Sequence, residues 1–197
     1  MRCEHCFYLE EINDSSRTEL SLEQIKSLAK ELGGLYWIAL SGGEPYLRKD
    51  LVEIVQTFYR YSRPNIISHV TNGFYPDRIS DMTKKMAETC SKSKNLIIFS
   101  LDGLKDTHEK IRKSPGSFEK VKESIQSVQK HQSDYPNLDT GIVITVQQNN
   151  REELIPLIEY IENNLMPDGI YINLQRDHTQ PSNVLVDPKT LSSYQEA

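Results

Sequence analysis

Apolar residues along the chain follow two alternating patterns: short continuous runs, and stripes with helical spacing. A continuous run is typical of a strand buried on both faces, and apolar residues at i, i+3 and i+4 predict an amphipathic helix. The predicted strands are, in order, residues 35–40, 65–70, 95–101, 140–146 and 169–175. The stripes between them include Ile25 and Leu28, Val55 and Phe58, Met82 and Met86, and Val121 and Ile125.

Several polar residues predict where the helices begin. Ser21 and Gln24 have the spacing of a capping box ahead of the first stripe. Asp50 is expected to cap the second helix, and Pro156 fits in the first turn of the last long helix. Helices of this length between strands allow right-handed crossovers, so the sheet is predicted to be parallel.

The alternation of strands and helices predicts an α/β fold. An open doubly wound sheet and a partial (β/α) barrel both fit the alternation, and periodicity does not choose between them. In either architecture the loops at the carboxyl ends of the strands carry the chemistry.

Each of the first three predicted strands is followed by a glycine beside short polar residues. The stretches are Ser41-Gly42-Gly43-Glu44-Pro45, Thr71-Asn72-Gly73 and Ser100-Leu101-Asp102-Gly103. Glycine lets the backbone approach a ligand closely, and polar side chains then orient that ligand. The convergence predicts a polar small molecule bound across these strand ends.

Composition narrows the class of protein. The 197 residues suffice for one well-packed domain, and the net charge of −5 argues against a nucleic-acid surface. No apolar run reaches the length of a membrane span, so no membrane partner is expected. Two of the three cysteines, Cys3 and Cys6, form a C-x-x-C pair, which favours metal or redox chemistry in a reducing, cytoplasmic compartment.

Taken together, C-x-x-C, G-G-E-P and "SLDGLKDTHEKIRKSPGSFEKV" resemble the radical S-adenosylmethionine (radical SAM) family, whose signature is C-x-x-x-C-x-aromatic-C. The last stretch looks like the branch with molybdenum-cofactor, PQQ-biosynthesis and sulfatase-maturating enzymes. The resemblance implies a partial (β/α)6 TIM-like barrel with parallel strands and its first strand missing. It implies a core domain over residues 1–180, and an exit loop and short helix over residues 181–197 that could begin a C-terminal module.

The resemblance also implies the cofactors. Family members hold a 4Fe–4S cluster through three thiolates, and the open iron binds S-adenosylmethionine. An electron from an external donor such as flavodoxin or ferredoxin breaks the S–C5′ bond. The resulting 5′-deoxyadenosyl radical abstracts hydrogen from a peptide or small-molecule substrate. The first cysteine of the motif would lie two residues upstream of Met1, so we expect missing residues there and an inactive chain as written.

Residue roles carry over by matching position. The resemblance makes Cys3 and Cys6 cluster ligands and places His5 near adenine. It assigns the methionine amino group to residues 42–45 and the methionine carboxylate to Arg112. The complete set of expected cofactor contacts is His5, Gly42, Gly43, Glu44, Pro45, Asn72, Ser100, Asp102 and Arg112.

Other interpretations stay open at the level of sequence. Cys3 and Cys6 could form a zinc half-site or a thiol-redox pair, or the chain could be a degenerate nucleotide-binding protein without a cluster. Glu44 could be a surface acid in a turn, and Asp102 could cap the following helix. Arg112 could be a solvated charge at a helix end. Cys90 lies on an apolar stripe and is expected in the core.

Overall fold

Five parallel strands form one sheet in the computed structural model, which describes residues 1–6, 18–176 and 187–197. The strands are β1 (Trp37–Leu40), β2 (Ile66–Thr71), β3 (Lys94–Ser100), β4 (Leu138–Val146) and β5 (Gly169–Leu174). The helices are α1 (Leu22–Leu32), α2 (Leu51–Ser62), α3 (Pro76–Thr89), α4 (Lys105–Arg112), α5 (Ser117–Gln129), α6 (Leu154–Asn164) and α7 (Pro188–Glu196). Short 3-10 helices span Pro45–Leu47 and Arg151–Glu153.

The strand order decides between the two predicted architectures. The strands pair in the order β1-β2-β3-β4-β5, and every pairing is parallel. A doubly wound sheet reverses its strand order at a switch point, whereas a (β/α) barrel adds each strand beside the previous one. The sequential order therefore confirms the barrel-like α/β fold. Over the described residues the sheet stays open between β1 and β5.

The core lies between the sheet and the helices. Alternate strand residues point to one side, and Ile67, Ile97 and Ile142 on that side are fully buried. They join one cluster with the apolar stripes of the helices, represented by Met86 on α3 and Ile125 on α5. This arrangement is what right-handed crossovers produce, because they place consecutive helices on the same face of a parallel sheet. The predicted stripes of α2, α3 and α5 are confirmed as buried faces. On α1 the prediction is half wrong: Ile25 is buried, but Leu28 is 40% exposed and Ala29 completes the buried face instead.

The first strand is less buried than its sequence predicts. The run of residues 35–40 is continuous in apolar residues and was expected to be buried on both faces, which is wrong. Trp37 is 57% exposed and Tyr36 is 72% exposed. The reason is position: β1 pairs only with β2 in the described chain, so it is an edge strand. The Trp37 indole N–H donates a hydrogen bond to Ser68 Oγ at 2.8 Å, which holds the ring against the neighbouring strand.

Helix starts follow the sequence in two of three cases. Ser21 and Gln24 form the predicted capping box at α1, and Pro156 is the third residue of α6. Asp50 occupies the cap position of α2 but makes no capping bond, because its carboxylate accepts from Arg48 Nε at 2.7 Å. An ion pair with a neighbouring arginine has replaced the predicted cap.

The structure describes only part of the carboxyl-terminal segment for which an exit loop and a short helix were predicted. Residues 177–186 lie outside the described residues, and with them most of the predicted exit loop. The predicted short helix is α7, which is anchored by Asp187 through an ion pair with Arg151 at 2.6 Å. The boundary at residue 180 stays a prediction. No helix that the structure describes is long and apolar enough to cross a bilayer.

The core contains a buried histidine side chain, that of His69. His69 on β2 is fully buried, and neither ring nitrogen has a hydrogen-bond partner within the described residues. Burial lowers the pKa of His69 to about 4, because the charged imidazolium is poorly solvated in the core. The folded state therefore keeps this ring neutral where the unfolded chain protonates it.

We expect acid to destabilise the fold through His69. The unfolded chain gains a proton on this ring below pH ~6.5, whereas the folded chain gains it only near pH 4. Stability is therefore present above pH ~6.5 and falls on acidification by roughly 1.4 kcal/mol per pH unit per buried histidine. Urea unfolding at several pH values should show a smaller slope between pH ~4 and ~6.5 for His69→Leu. An unchanged slope in that variant would contradict the assignment.

Candidate functional site

The glycine loop (residues 41–45) follows β1 and is fastened to the end of β2 by Glu44. One carboxylate oxygen, Oε1, accepts from Thr71 Oγ1 at 2.8 Å and from the Tyr46 amide at 3.2 Å. The other, Oε2, accepts from the Asn72 amide at 2.8 Å. Burial raises the pKa of the Glu44 carboxyl, and these hydrogen bonds oppose the rise. Glu44 is therefore a connection between two strand ends, and its interpretation as a plain surface acid is wrong.

The glycines at the strand ends are required for different reasons. Gly42 has φ +126°, a backbone conformation that favours glycine. A side chain added there would meet open space, so the surroundings of this residue are accessible. At Gly73 an added Cβ would lie 2.5 Å from Val121 Cγ2, so this glycine allows α5 to approach the sheet. An added Cβ at Gly103 would lie 2.7 Å from Thr107 Cγ2. Helix packing therefore accounts for Gly73 and Gly103.

Asp102, two residues beyond β3, is a fully buried carboxylate. Its Oδ1 accepts from the Thr145 amide on β4 at 2.9 Å, and its Oδ2 lies 2.5 Å from Arg112 Nη2. Helix α4 begins at Lys105 with Leu104 in the cap position, so the interpretation of Asp102 as a helix cap is wrong. The carboxylate instead connects the ends of two strands to a buried arginine.

Arg112 ends α4 and points inward. The residue is 7% exposed, which rules out the solvated helix-end charge considered from the sequence. Besides its ion pair with Asp102, its Nη1 donates to Cys3 Sγ at 3.6 Å. Burial would lower the pKa of the guanidinium, but Asp102 and Cys3 raise it, and the net shift is upward. Burial would likewise raise the pKa of Asp102, which the charge of Arg112 lowers overall.

The cysteine turn (residues 3–6) lies over these groups. The Cys6 amide donates to the Cys3 carbonyl at 3.2 Å, which closes the turn and leaves both cysteines half-buried. The Glu4 amide donates to the Ile111 carbonyl at 2.9 Å, and His5 Nε2 lies 3.8 Å from Asp102 Oδ2. The turn therefore shares the carboxyl edge of the sheet with Asp102.

Sequence reasoning missed a group of polar residues that support this edge. Asn150, after β4, donates from Nδ2 to the Asp102 carbonyl at 2.7 Å and to the Thr145 carbonyl at 2.9 Å. Asn149 donates to Glu4 Oε2 at 2.9 Å, which ties the same loop to the cysteine turn. His108 accepts at Nδ1 from the Asp102 amide at 3.2 Å. The paired asparagines in "QQNN" after a predicted strand were the available signal.

The other predicted site residues lie at the same edge. Ser100 ends β3 and is 8% exposed, on the sheet face opposite the helices. Asn72 accepts at Oδ1 from the Phe74 amide at 2.9 Å, so its side chain shapes the turn after β2. Cys90 is fully buried ahead of β3, at the opposite edge of the sheet, which confirms it as a core residue.

Comparison with known proteins identifies the family. The chain matches the family model of the Radical SAM superfamily over residues 1–161, which is most of its length. The protein therefore belongs to the radical SAM superfamily. Membership implies a 4Fe–4S cluster and S-adenosylmethionine as cofactors, as the resemblance predicted.

Curated relatives agree with the predicted branch. The chain is 29% identical to "Fe-coproporphyrin III synthase" of Methanosarcina barkeri over 88% of its own length and 41% of that protein. It is 31% identical to "Probable GTP 3',8-cyclase" of Saccharolobus solfataricus over 80% of its length and 49% of that protein. The chain thus spans about half the length of the curated relatives it matches.

A solved structure shows the same fold. The structure described as "Native anSMEcpe with bound AdoMet" superposes with a TM-score of 0.69 over 98% of this chain and 55% of the other, at 21% sequence identity. The same protein with AdoMet and a peptide bound gives a TM-score of 0.67. At this identity the likeness concerns the fold.

The side chains at this edge of the sheet suit an iron–sulfur cluster, although Cys3 and Cys6 alone do not complete its ligand set. Cys3 and Cys6 offer two thiols on one turn, and Arg112 Nη1 donates a hydrogen bond to the Cys3 sulfur. The third thiolate of the family signature is not among the described cysteines that face this edge. A structural zinc ion takes four ligands. Within the described residues, no three histidine, cysteine or acidic side chains are arranged to hold a metal ion.

We expect Glu44→Gln to loosen the glycine loop. All three groups that contact the carboxylate donate hydrogens, so an amide NH2 at either position would face a donor and leave a half-buried group unpaired. The expected loss in the free energy of unfolding is about 1–3 kcal/mol. The matched control Glu119→Gln, on the exposed side of α5 in a pair with Lys122, should change stability by less than about 0.5 kcal/mol. Equal effects in urea unfolding would show that Glu44 does not connect the strand ends.

Proposed function

We propose that this chain is the core of a radical SAM enzyme that reductively cleaves S-adenosylmethionine and abstracts hydrogen from a peptide or small-molecule substrate. The observation that carries the proposal is the meeting of the cysteine turn with Asp102 and Arg112 at the carboxyl edge of a sequentially ordered parallel sheet. Membership of the superfamily supports the reaction class. In this proposal the radical SAM core spans residues 1–180.

Cys3 and Cys6 would hold the cluster, which supplies the electron that cleaves the sulfonium. The glycine loop would bind the methionine amino group, because Glu44 keeps the loop in place and Gly42 leaves its backbone accessible. Arg112 has an Nε–H without a partner among the described residues, and this donor could meet the methionine carboxylate.

The remaining contacts would come from short polar groups at the same edge. Ser100 and Asn72 lie at the ends of β3 and β2, where a ribose hydroxyl could reach them, and His5 lies beside Asp102 where it could contact adenine. Asp102 would act mainly by orienting Arg112, since its carboxylate oxygens already face Thr145 and that arginine.

The partners of such an enzyme follow from its chemistry. An external low-potential donor of the flavodoxin or ferredoxin class would supply the electron, and the reducing cytoplasm suits free cysteines beside such a donor. The names of the relatives refer to chemically different small molecules, Fe-coproporphyrin III for one and GTP for another, so they support a small-molecule substrate. The peptide bound to the solved structure supports the alternative class.

We expect cluster assembly to require the complete signature. A chain that carries a cysteine four residues before Cys3 should bind about four iron and four sulfide per chain on anaerobic reconstitution, and should release 5′-deoxyadenosine from S-adenosylmethionine under reduction. Metal analysis and product chromatography check both. Cys6→Ala in that chain should abolish the product while circular dichroism stays unchanged, because Cys6 lies on a surface turn outside the core.

Cys90→Ala is the matched control, since it removes a thiol that is buried away from the site. This variant should retain the cluster and the product. A colourless protein loaded with zinc would support the zinc or thiol-redox alternative. Binding of S-adenosylmethionine without iron uptake would support a degenerate nucleotide-binding protein.

A further inference from the structure

The guanidinium of Arg112 lies between a carboxylate and a cysteine sulfur. Nη2 contacts Asp102 Oδ2 at 2.5 Å, and Nη1 donates to Cys3 Sγ at 3.6 Å. The side chain is 8% exposed and that of Asp102 is fully buried, so water competes little for either contact. One planar cation thus joins the buried end of β3 to the sulfur of an expected cluster ligand.

The position of this cation is fixed from behind. The Asp102 carboxylate is held by the Thr145 amide through Oδ1, and its main-chain carbonyl accepts from Asn150 Nδ2 at 2.7 Å. Asn150 is itself buried and accepts from the Gln147 amide at 2.8 Å. Because Asp102 has little freedom, the guanidinium that pairs with it keeps its orientation towards Cys3.

A charged donor beside a ligating sulfur changes the energy of adding an electron. Hydrogen bonds to cluster sulfurs are among the factors that set the potentials of iron–sulfur proteins. Reduction adds one negative charge from the external donor and breaks no bond. A fixed cation in a weakly screened site favours the state with the greater negative charge.

We propose that Arg112, positioned by Asp102, raises the reduction potential of the cluster through its hydrogen bond to the Cys3 sulfur. The inference rests on the proposed function, because it needs the cluster. It is separate from the expected contact with the methionine carboxylate, which would use the other donors of the same side chain. The two roles differ in one respect: an effect on potential exists without S-adenosylmethionine.

The test is an anaerobic redox titration, followed by electron paramagnetic resonance, of the reconstituted protein that contains the complete cysteine signature, without S-adenosylmethionine. The variants are Arg112→Gln, Arg112→Lys and the double variant Asp102→Asn with Arg112→Gln. The double variant leaves no buried unpaired carboxylate and so guards against loss of folding. Lys110→Gln is the matched control, since it removes one positive charge from the exposed side of α4.

Arg112→Gln and the double variant should lower the ratio of reduced to oxidised cluster about tenfold at a fixed solution potential, which is about 59 mV for a one-electron couple. Arg112→Lys should recover part of the shift, and Lys110→Gln should leave the ratio unchanged. The inference would be overturned if the folded, cluster-loaded Arg112→Gln protein had an unchanged reduction potential. If the affinity of that variant for S-adenosylmethionine falls, the proposed function stays intact. If the unsubstituted protein takes up no cluster, the proposed function itself fails.

Discussion

The buried ion pair between Asp102 and Arg112 holds the functional edge of this protein together. Taking both charges out of water is costly, and attraction between them offsets that cost only when their other polar atoms are also satisfied. Here the carboxylate accepts from the Thr145 amide and the guanidinium donates from Nη1 to Cys3, which leaves the Arg112 Nε–H without a partner among the described residues. The pair therefore forms favourably only when β3, β4, α4 and the cysteine turn have all come together. A site made of four separate segments is in this way coupled to the folding of the whole edge.

Glu44 connects the ends of β1 and β2 at the same edge of the sheet, through hydrogen bonds and not through an ion pair. Among the described residues its hydrogen-bond partners are uncharged: the Asn72 and Tyr46 amides and the Thr71 hydroxyl. Burial raises the pKa of Glu44 despite its hydrogen bonds, whereas the charge of the adjacent Arg112 lowers the pKa of the buried Asp102. Glu44 thus organises neutral hydrogen-bond donors around the glycine loop, and Asp102 fixes the position of the permanent cation of Arg112.

The sequence predicted what depends on local periodicity and missed what depends on distant partners. The five strands, the buried stripes of α2, α3 and α5, and the burial of Cys90 follow from local sequence patterns alone, because each pattern lies within one element. The exposure of Trp37 could not be read, since a continuous apolar run looks the same in a central and an edge strand. The role of Asn150 was hidden for a similar reason. Its partners lie 48 and 5 residues away, and only the register of β3 against β4 brings them to one place.

The choice of arginine at residue 112 follows from shape as much as from charge. A lysine ammonium is a compact charge at the end of a flexible chain, and contact with a buried carboxylate would leave it no fixed second direction. The guanidinium presents two terminal nitrogens on one rigid plane, so a carboxylate that fixes Nη2 also fixes where Nη1 points. In this structure Nη1 points at Cys3. A carboxylate anchored to the sheet can therefore orient a thiol on a surface turn, and the regular end of the barrel-like fold determines the geometry at the cysteines.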